Sequence, residues 1–498
     1  MGYLVRIAVL PWGDPSAWRY ASYCYECFCK EGFSTLEFLV HTKELFPDLA
    51  LVFVLDTLAM RLPTQSYRSY SELVERVREY VGRYICGRDR VQTNVEVLPG
   101  VMGCGGEGKI EFRANPVTTR LLTLYTLYFS ILDLARCFRT GDGVEIVLDT
   151  THGINYFSIL VRESVLEVAA MVAAALGTPV KVSVFNADPM PTSASAPARS
   201  EKDPCEPSSA GPTPRLEYNL IGEYWVYPWD LVRYFRYSVD SVGKLISDPR
   251  ECRLDEGELE RLLSISKLAV ASFRVGALVE LVELVKRELD FTWLARAMLE
   301  KVHGCWLRKA GLVARNECRS TSFTKLQEGF RLLLHAHAVF SGVSRVLASA
   351  IGVDGVSLKY LRGLVEKLLE GSEVTITLVR DELNRVEARL SRERKGEAPP
   401  LPQEWVSYSQ LMREEGVVVP EVECGKPVDY DPQKLVRVFV AHAGFLKDVV
   451  ELRKVDDEDV VFRVRSECWG VVEKALEGVF NSLCSKFGRT RPSVERGC

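Results

Sequence analysis

Residues 144–155 read VEIVLDTTHGIN, and this run decides the fold of the first half of the chain. Val144–Leu148 is a short apolar stretch rich in β-branched residues. Such a run suits a strand buried on both faces of a parallel sheet. Asp149-Thr150-Thr151-His152-Gly153 then breaks the pattern with turn-forming and hydroxyl side chains. From Asn155 to Ala175 the apolar residues return at helical spacing. The same succession repeats on either side. Strands are expected at Tyr3–Leu10, Leu49–Leu55, Thr93–Leu98 and Val180–Phe185, separated by amphipathic segments such as Tyr70–Tyr84 and Thr118–Phe138. Strand–helix alternation of this kind predicts an α/β domain, a Rossmann-like and mostly parallel sheet. Ligands of such sheets sit beyond the carboxyl ends of the strands.

Polar residues gather at those ends. After the first strand comes Pro11-Trp12-Gly13-Asp14-Pro15-Ser16-Ala17-Trp18, and after the second Asp56-Thr57-Leu58. The third such segment is Asp149–Asn155. Glycines and short polar side chains let backbone N–H groups face outward, and a following helix N-terminus favours an anion. The three loops together predict a phosphate-accepting crevice, although Asp56 and Asp149 also suit helix caps and turns. No G-x-G-x-x-G follows the first strand, and Gly103-Cys104-Gly105-Gly106-Glu107-Gly108 lacks the lysine–hydroxyl ending of a P-loop. A dinucleotide oxidoreductase and a P-loop ATPase are therefore disfavoured.

The chain is too long, at 498 residues, for one ordinary domain. Its 47% hydrophobic and 10% aromatic content excludes global disorder. With 63 basic and 67 acidic residues it carries no overall basic field for duplex DNA, which leaves room for a local basic groove. The N-terminal apolar run stops at Pro11 and reads as a strand, and no stretch is long enough to span a bilayer, so a cytoplasmic protein without a membrane partner is expected. Cys24, Cys27 and Cys29 cluster, but no second close pair of Cys or His completes a zinc set; no metal site is expected. Residues 189–215 are rich in Pro, Ser and Ala and read as a flexible loop or linker. A further strand is expected at Glu217–Tyr227. Beyond it the spacing becomes helical, at Glu256–Leu289, Thr292–Ala310, Thr324–Ala350, Leu358–Glu370, Asp431–Arg453 and Ser466–Phe487. The second half is thus expected to be an all-α domain. The resulting division is 1–230 and 231–498.

The Asp149-Thr150-Thr151-His152-Gly153 run resembles the D-x-T-H-G signature of CRISPR-associated proteins with a CARF domain, and Pro11-Trp12-Gly13-Asp14-Pro15 with Trp18 resembles the start of the same branch. The resemblance covers the architecture of nearly the whole chain. It implies a Rossmann-like CARF domain that binds cyclic oligoadenylate, with a tetra-adenylate ring as the expected activator, across the axis of a homodimer or higher homo-oligomer. Trp12, Gly13, Asp14, Asp56, Thr57, Thr150, Thr151, His152, Gly153 and Asn155 become the expected contacts.

Proteins of this branch carry a C-terminal helical HEPN ribonuclease domain, marked by an Arg, four to six residues, and a His. Arg437 and His442 fit this spacing, as do Arg331 with His337 and Arg296 with His303. Arg437 and His442 are preferred because they lie near the end of the chain and continue as Ala443-Gly444-Phe445, while the rivals sit in strongly apolar segments. Val438 departs from the family, which commonly has a polar residue after the Arg. The chemistry suits the pair. A His can transfer a proton during attack of the RNA 2′-hydroxyl on its own phosphate, and an Arg can stabilise the developing charge. The expectation is a metal-independent endoribonuclease of type III CRISPR defence that cuts single-stranded RNA, leaving 2′,3′-cyclic phosphate ends, and needs no cofactor for catalysis. Two alternatives remain open. One is a CARF-controlled nucleic-acid-binding regulator, which would draw on Arg308, Lys309, Arg315, Arg319 and Lys325. The other is an added ring-nuclease activity through Thr151 and His152.

Overall fold

The structure is a computed structural model. It describes residues 4–62, 67–87, 89–103, 110–135, 143–153, 155–191, 196–315, 318–348, 354–414, 424, 432–446, 448–457 and 459–485. Most of the glycine-rich segment 103–108 lies outside these residues. Two compact units are present, one built from residues up to Val172 with Pro179–Val226 and Val302–Leu326, the other from Ala173–Thr178, Tyr227–Lys301 and the chain from Gln327 onward.

The first unit is organised by an eight-stranded sheet. Its strands are β1 (Leu4–Pro11), β2 (Ala21–Tyr25), β3 (Phe28–Gly32), β4 (Leu49–Leu55), β5 (Gln92–Leu98), β6 (Gly143–Asp149), β7 (Val180–Ala187) and β8 (Arg215–Val226). The order across the sheet is β3-β2-β8-β7-β6-β1-β4-β5. β1 runs parallel to β4 and to β6, β4 parallel to β5, and β6 parallel to β7. β8 returns antiparallel to β7, and β2 and β3 form a hairpin. All seven residues of β4 are buried, which explains its unbroken apolar run. From β1 the chain builds outward to β4 and β5, then crosses back to β6 and β7. The strand order therefore reverses between β1 and β6, and the crevice that opens at such a point is where doubly wound sheets hold ligands.

A small second sheet in this unit joins Gly311–Arg315, Cys318–Ser322, Ile110–Arg113 and Val101–Met102. In the basic segment around 305–325, Arg308 and Lys309 end the helix Phe291–Lys309, while Arg315 and Arg319 lie on paired antiparallel strands. The Pro- and Ser-rich stretch after β7 is irregular, as its composition demands, yet its described part is anchored. Cys205 is disulfide-bonded to Cys86, and Arg199 bridges Pro207. Cys24 and Cys29, directly opposed on the β2–β3 hairpin, form a second disulfide.

The second unit is mainly helical. Its helices include Glu256–Val275, Leu278–Arg287, Glu328–Leu347, Leu358–Leu368, Glu373–Arg394, Pro432–Ala441 and Trp469–Ser485. It departs from the all-helical expectation in a small antiparallel sheet of four strands ordered Val356–Ser357, Val460–Val464, Val450–Lys454, Val406–Ser407. The strand Val450–Lys454 begins inside the segment Asp431–Arg453, where the spacing predicts one helix. The single helix expected over Glu256–Leu289 is likewise two, because Gly276 adopts a left-handed conformation at φ 73° and caps the first.

Candidate functional site

In the first unit the loops leaving β1 and β6 meet at the reversal of strand order. The Gly13 N–H donates to the His152 carbonyl at 2.7 Å, which locks the two strand ends together. Beside this contact opens a cleft of about 670 Å³, lined by Trp18, Tyr23, Thr150, Thr151, His152, Gly153 and Asn186 among others.

Asp149 organises the β6 loop from below. It is buried, accepts from the Thr151 N–H at 2.9 Å and hydroxyl at 2.6 Å, and is also bonded by the Thr35 hydroxyl. Burial raises its carboxyl above the ordinary range, opposed by those hydrogen bonds. The Thr151 hydroxyl in turn accepts from the Ala187 N–H at 2.9 Å, tying the loop to the end of β7. His152 stacks on Trp18 with ring centroids 4.0 Å apart. Its Nε2 accepts from the Thr35 N–H at 3.3 Å and lies 3.4 Å from the Tyr23 hydroxyl. Burial, with the positive charge of Arg199 second, pushes the imidazole down to about 3. His152 is therefore a neutral, stacked ring at physiological pH and presents no cationic charge to the cleft.

Arg199 belongs to the anchored loop after β7. Its guanidinium lies 4.1 Å above the Phe33 ring and 5.1 Å from the Tyr84 ring, and donates to the Pro15 carbonyl at 3.1 Å. Burial lowers it to about 10. Gly153 has no room for a side chain. An added Cβ would stand 1.8 Å from the Ser158 hydroxyl and 3.1 Å from the Pro11 carbonyl. Gly153→Ala is expected to destabilise the first unit by about 1–3 kcal/mol, because overpacking forces the loop to move. Urea denaturation of the variant against the parent checks this.

Thr150, Thr151, His152 and Gly153 thus line the cleft as a set, and other expected contacts do not. Trp12 is buried beneath, edge-on to Trp18 at 4.8 Å. Asp14 is occupied by Arg61 at 2.9 Å, the Tyr80 hydroxyl at 2.9 Å and Ser16. Asp56 is fully buried, accepting from the Gly100 N–H at 2.8 Å and the Tyr70 hydroxyl at 3.0 Å, and burial raises it to about 8. It is a turn-holding residue, and Thr57 beside it is buried as well. Asn155 opens the helix Asn155–Leu176, and its side chain lies outside the described residues. Trp18, Tyr23 and Asn186 were absent from the expected contacts. Tyr23 and Asn186 reach the cleft only through the order of the strands, which no local pattern reveals.

In the second unit, Arg437 is exposed on the helix Pro432–Ala441 and His442 caps its end. The Gly444 N–H reaches back to the Phe439 carbonyl at 2.9 Å and the Ala443 N–H to the Val440 carbonyl at 3.2 Å. These two bonds are a Schellman ending, with Ala443 in the left-handed position at φ 46°. The motif turns the chain sharply after His442, so the helix stops there. The half-buried His442 places Nδ1 3.0 Å from Oε1 of Glu382, on the helix Glu373–Arg394. Glu382 is buried and also accepts from the Tyr408 hydroxyl at 2.6 Å and from Arg385 at 3.0 and 3.1 Å. Burial alone would raise the Glu382 carboxyl, but the bonds from His442 and Tyr408 and the charge of Arg385 outweigh it and hold it below the ordinary range. Glu382, Arg385 and Tyr408 were missed in the sequence, where a helical Glu-x-x-Arg reads as an ordinary surface pair.

The rival Arg/His pairs sit differently. Arg331 and His337 are buried in the helix Glu328–Leu347, and burial pushes His337 down to about 3. His303 is lowered by burial too, against the Tyr125 ring at 4.8 Å. Among the described residues no group of three or more His, Cys, Asp or Glu could hold a metal ion. No described helix is long and apolar enough to cross a membrane.

Residues 7–189 match the family model for the CARF domain of CRISPR system endoribonuclease Csx1, and residues 372–466 match the model for its HEPN domain. The CARF match contains the whole cleft lining of the β1 and β6 loops. The HEPN match contains Glu382, Arg385, Tyr408, Arg437 and His442. The CRISPR system endoribonuclease Csx1 of Methanocaldococcus jannaschii is 26% identical over 184 residues, which span 37% of this chain and 37% of that protein. With both domains matched in order along it, the chain belongs to the Csx1 family of CRISPR-associated proteins, which join a CARF domain to a HEPN domain.

Proposed function

We propose that the protein is a metal-independent endoribonuclease that cuts single-stranded RNA when cyclic oligoadenylate occupies the cleft of its first unit. The observation that carries the reading is the placement of His442. It is a half-buried imidazole at a sharply terminated helix end, held through one nitrogen, with the exposed guanidinium of Arg437 on the same helix. His442 transfers the proton of the attacking 2′-hydroxyl, and Arg437 stabilises the charge that builds on the phosphate. This route gives 2′,3′-cyclic phosphate and 5′-hydroxyl ends. Each HEPN domain supplies one Arg and one His, so the working unit is a homodimer.

Recognition of the activator falls to the strand-end loops. Thr150, Thr151 and Gly153 line the cleft where phosphate and ribose oxygens would sit, and the stacked Trp18–His152 pair offers an aromatic surface for a base. A neutral His152 fits a role as hydrogen-bonding and stacking partner. A ligand shifts a two-state equilibrium only by its differential affinity for the active state.

The test supplies tri-, tetra- and hexa-adenylate rings separately in an RNA-cleavage assay, followed by titration of the effective ring. A Thr151→Ala, His152→Ala double variant is expected to move the activation midpoint at least about tenfold to higher ligand, the loss of one or two hydrogen bonds and a stacking contact. Circular dichroism checks its fold, since the Thr151 hydroxyl also bridges Asp149 and Ala187. No stimulation by any ring would sink the activator reading, and an unchanged midpoint would move the ligand site elsewhere.

A further inference from the structure

We infer that Glu382 is the positioning residue of the nuclease site, fixing the His442 imidazole in one orientation and one tautomer so that Nε2 is the atom that exchanges protons with RNA. The inference rests on the nuclease reading of His442 and adds to it a residue outside the Arg/His pair.

The geometry carries the argument. Glu382 lies sixty positions before His442 and on a different helix, so their 3.0 Å contact is a product of the fold. Glu382 is 4% exposed, and a buried carboxylate is costly unless its lone pairs are filled. Here they are filled from three sides: by Nδ1 of His442, by the hydroxyl of Tyr408 on Oε2, and by Arg385 on both oxygens. Tyr408 is itself fully buried at 1% exposure and packs on Phe445, three residues past His442. The carboxylate therefore cannot swing away from the imidazole without stranding Tyr408.

An ionised carboxylate only accepts hydrogen bonds. Its hydrogen-bonded partners keep Glu382 ionised at neutral pH. Nδ1 of His442 must then be the nitrogen that carries hydrogen in the neutral ring. Nε2 is left with its lone pair, ready to take the 2′-hydroxyl proton. When Nε2 is protonated, the facing carboxylate compensates the positive charge. Arg385 neutralises the carboxylate from the other side, so the site keeps a fixed acceptor without a net negative field that would repel RNA phosphate.

The experiment uses the full-length chain with a tetra-adenylate ring and a single-stranded RNA, comparing Glu382→Gln, Glu382→Asp and His442→Ala. Two quantities are read: kcat and KM, and the tautomer of His442 by ¹⁵N NMR of histidine-labelled protein, with the His442 signals identified by their absence from His442→Ala. Glu382→Gln is expected to lower kcat at least about tenfold with KM changed less than about twofold, since it degrades proton transfer and not binding. The same substitution should shift the His442 nitrogen signals away from the Nδ1–H tautomer. Glu382→Asp should recover part of both, which a merely structural defect would not do. Loss of cleavage in His442→Ala with full kcat in Glu382→Gln would overturn this inference alone. So would a kcat loss in Glu382→Gln that leaves the His442 tautomer unchanged. Intact cleavage by His442→Ala would overturn the underlying site and this inference with it.

Discussion

Replacing His442 by alanine is expected to slow RNA cleavage by at least about a hundredfold, and replacing Arg437 by alanine to do the same, because proton transfer and charge stabilisation each operate on that scale. Both substitutions should leave the fold intact. Arg437 is exposed, and His442 caps a helix whose ending is made by the backbone N–H groups of Ala443 and Gly444. The assay belongs in excess EDTA, where the parent protein should remain active, since proton transfer by His and phosphate binding by Arg need no metal. The control is His337→Ala. That ring is buried and depressed to about 3, so it does not take up a proton near neutrality, and its loss should show in the melting temperature and not in the rate. Near-parental rates for both His442→Ala and Arg437→Ala would remove the catalytic assignment.

A second large effect concerns stability and pH. Glu280, on the helix Leu278–Arg287, is 1% exposed, and neither carboxyl oxygen has a hydrogen-bond partner among the described residues. It sits against the turn that follows His442, where a Cβ on Gly444 would come within 2.4 Å of its Oε2. Burial pushes its carboxyl up to about 8, opposed by its own N–H, and the charge of Glu283 adds a smaller upward push. In the unfolded chain it titrates near about 4.3. Below that pH it is neutral in both states and costs nothing. Between the two values the unfolded chain sheds the proton and the folded one keeps it, so stability falls as pH rises, by about 1.4 kcal/mol per unit. Glu280→Gln removes this slope while keeping the shape. The variant should gain several kcal/mol relative to the parent on going from pH 5 to pH 8, about 2–4 °C of melting temperature for each kcal/mol. Comparing the difference at the two pH values cancels the constant cost of burying the amide. Asp56, also raised to about 8, is present in both proteins and cancels too. Parallel melting curves across pH would mean that Glu280 is ionised within the fold.

The two halves of the chain were legible to different degrees. The strands of the first unit announced themselves because each is a short β-branched run buried on both faces, and β4 lies within the limits read from its sequence. The Asp149–Gly153 loop was legible for the same reason: a polar break after a buried strand has few other meanings. Its partners were not. Tyr23 and Asn186 become neighbours of His152 because β2, β8 and β7 lie on one side of β6, and strand order is a long-range property. Asp56 looked like a ligand contact and proved to be buried, because the residue types that cap turns are those that bind phosphate. In the second unit the strand Val450–Lys454 was lost in a helical reading, and Val460–Val464 fell in the gap between two expected helices, since five-residue runs carry little periodicity. The Glu382–His442 contact joins residues sixty positions apart, a separation that no spacing rule spans.

The disulfide between Cys86 and Cys205 spans 119 positions. In a chain-entropy account, a crosslink over that distance removes about 5 kcal/mol of freedom from the unfolded ensemble. The same link holds the segment that carries Arg199, whose guanidinium sits on Phe33 and Tyr84 and whose charge reaches His152. The segment that braces the ring beside the cleft is thus secured by a covalent bond in addition to the contacts of Arg199. Reduction would return that freedom to the unfolded state and loosen the Arg199 brace together. The shape of the cleft beside His152 is therefore coupled to the thiol balance of its surroundings, a dependence that a sheet held by packing alone would not have.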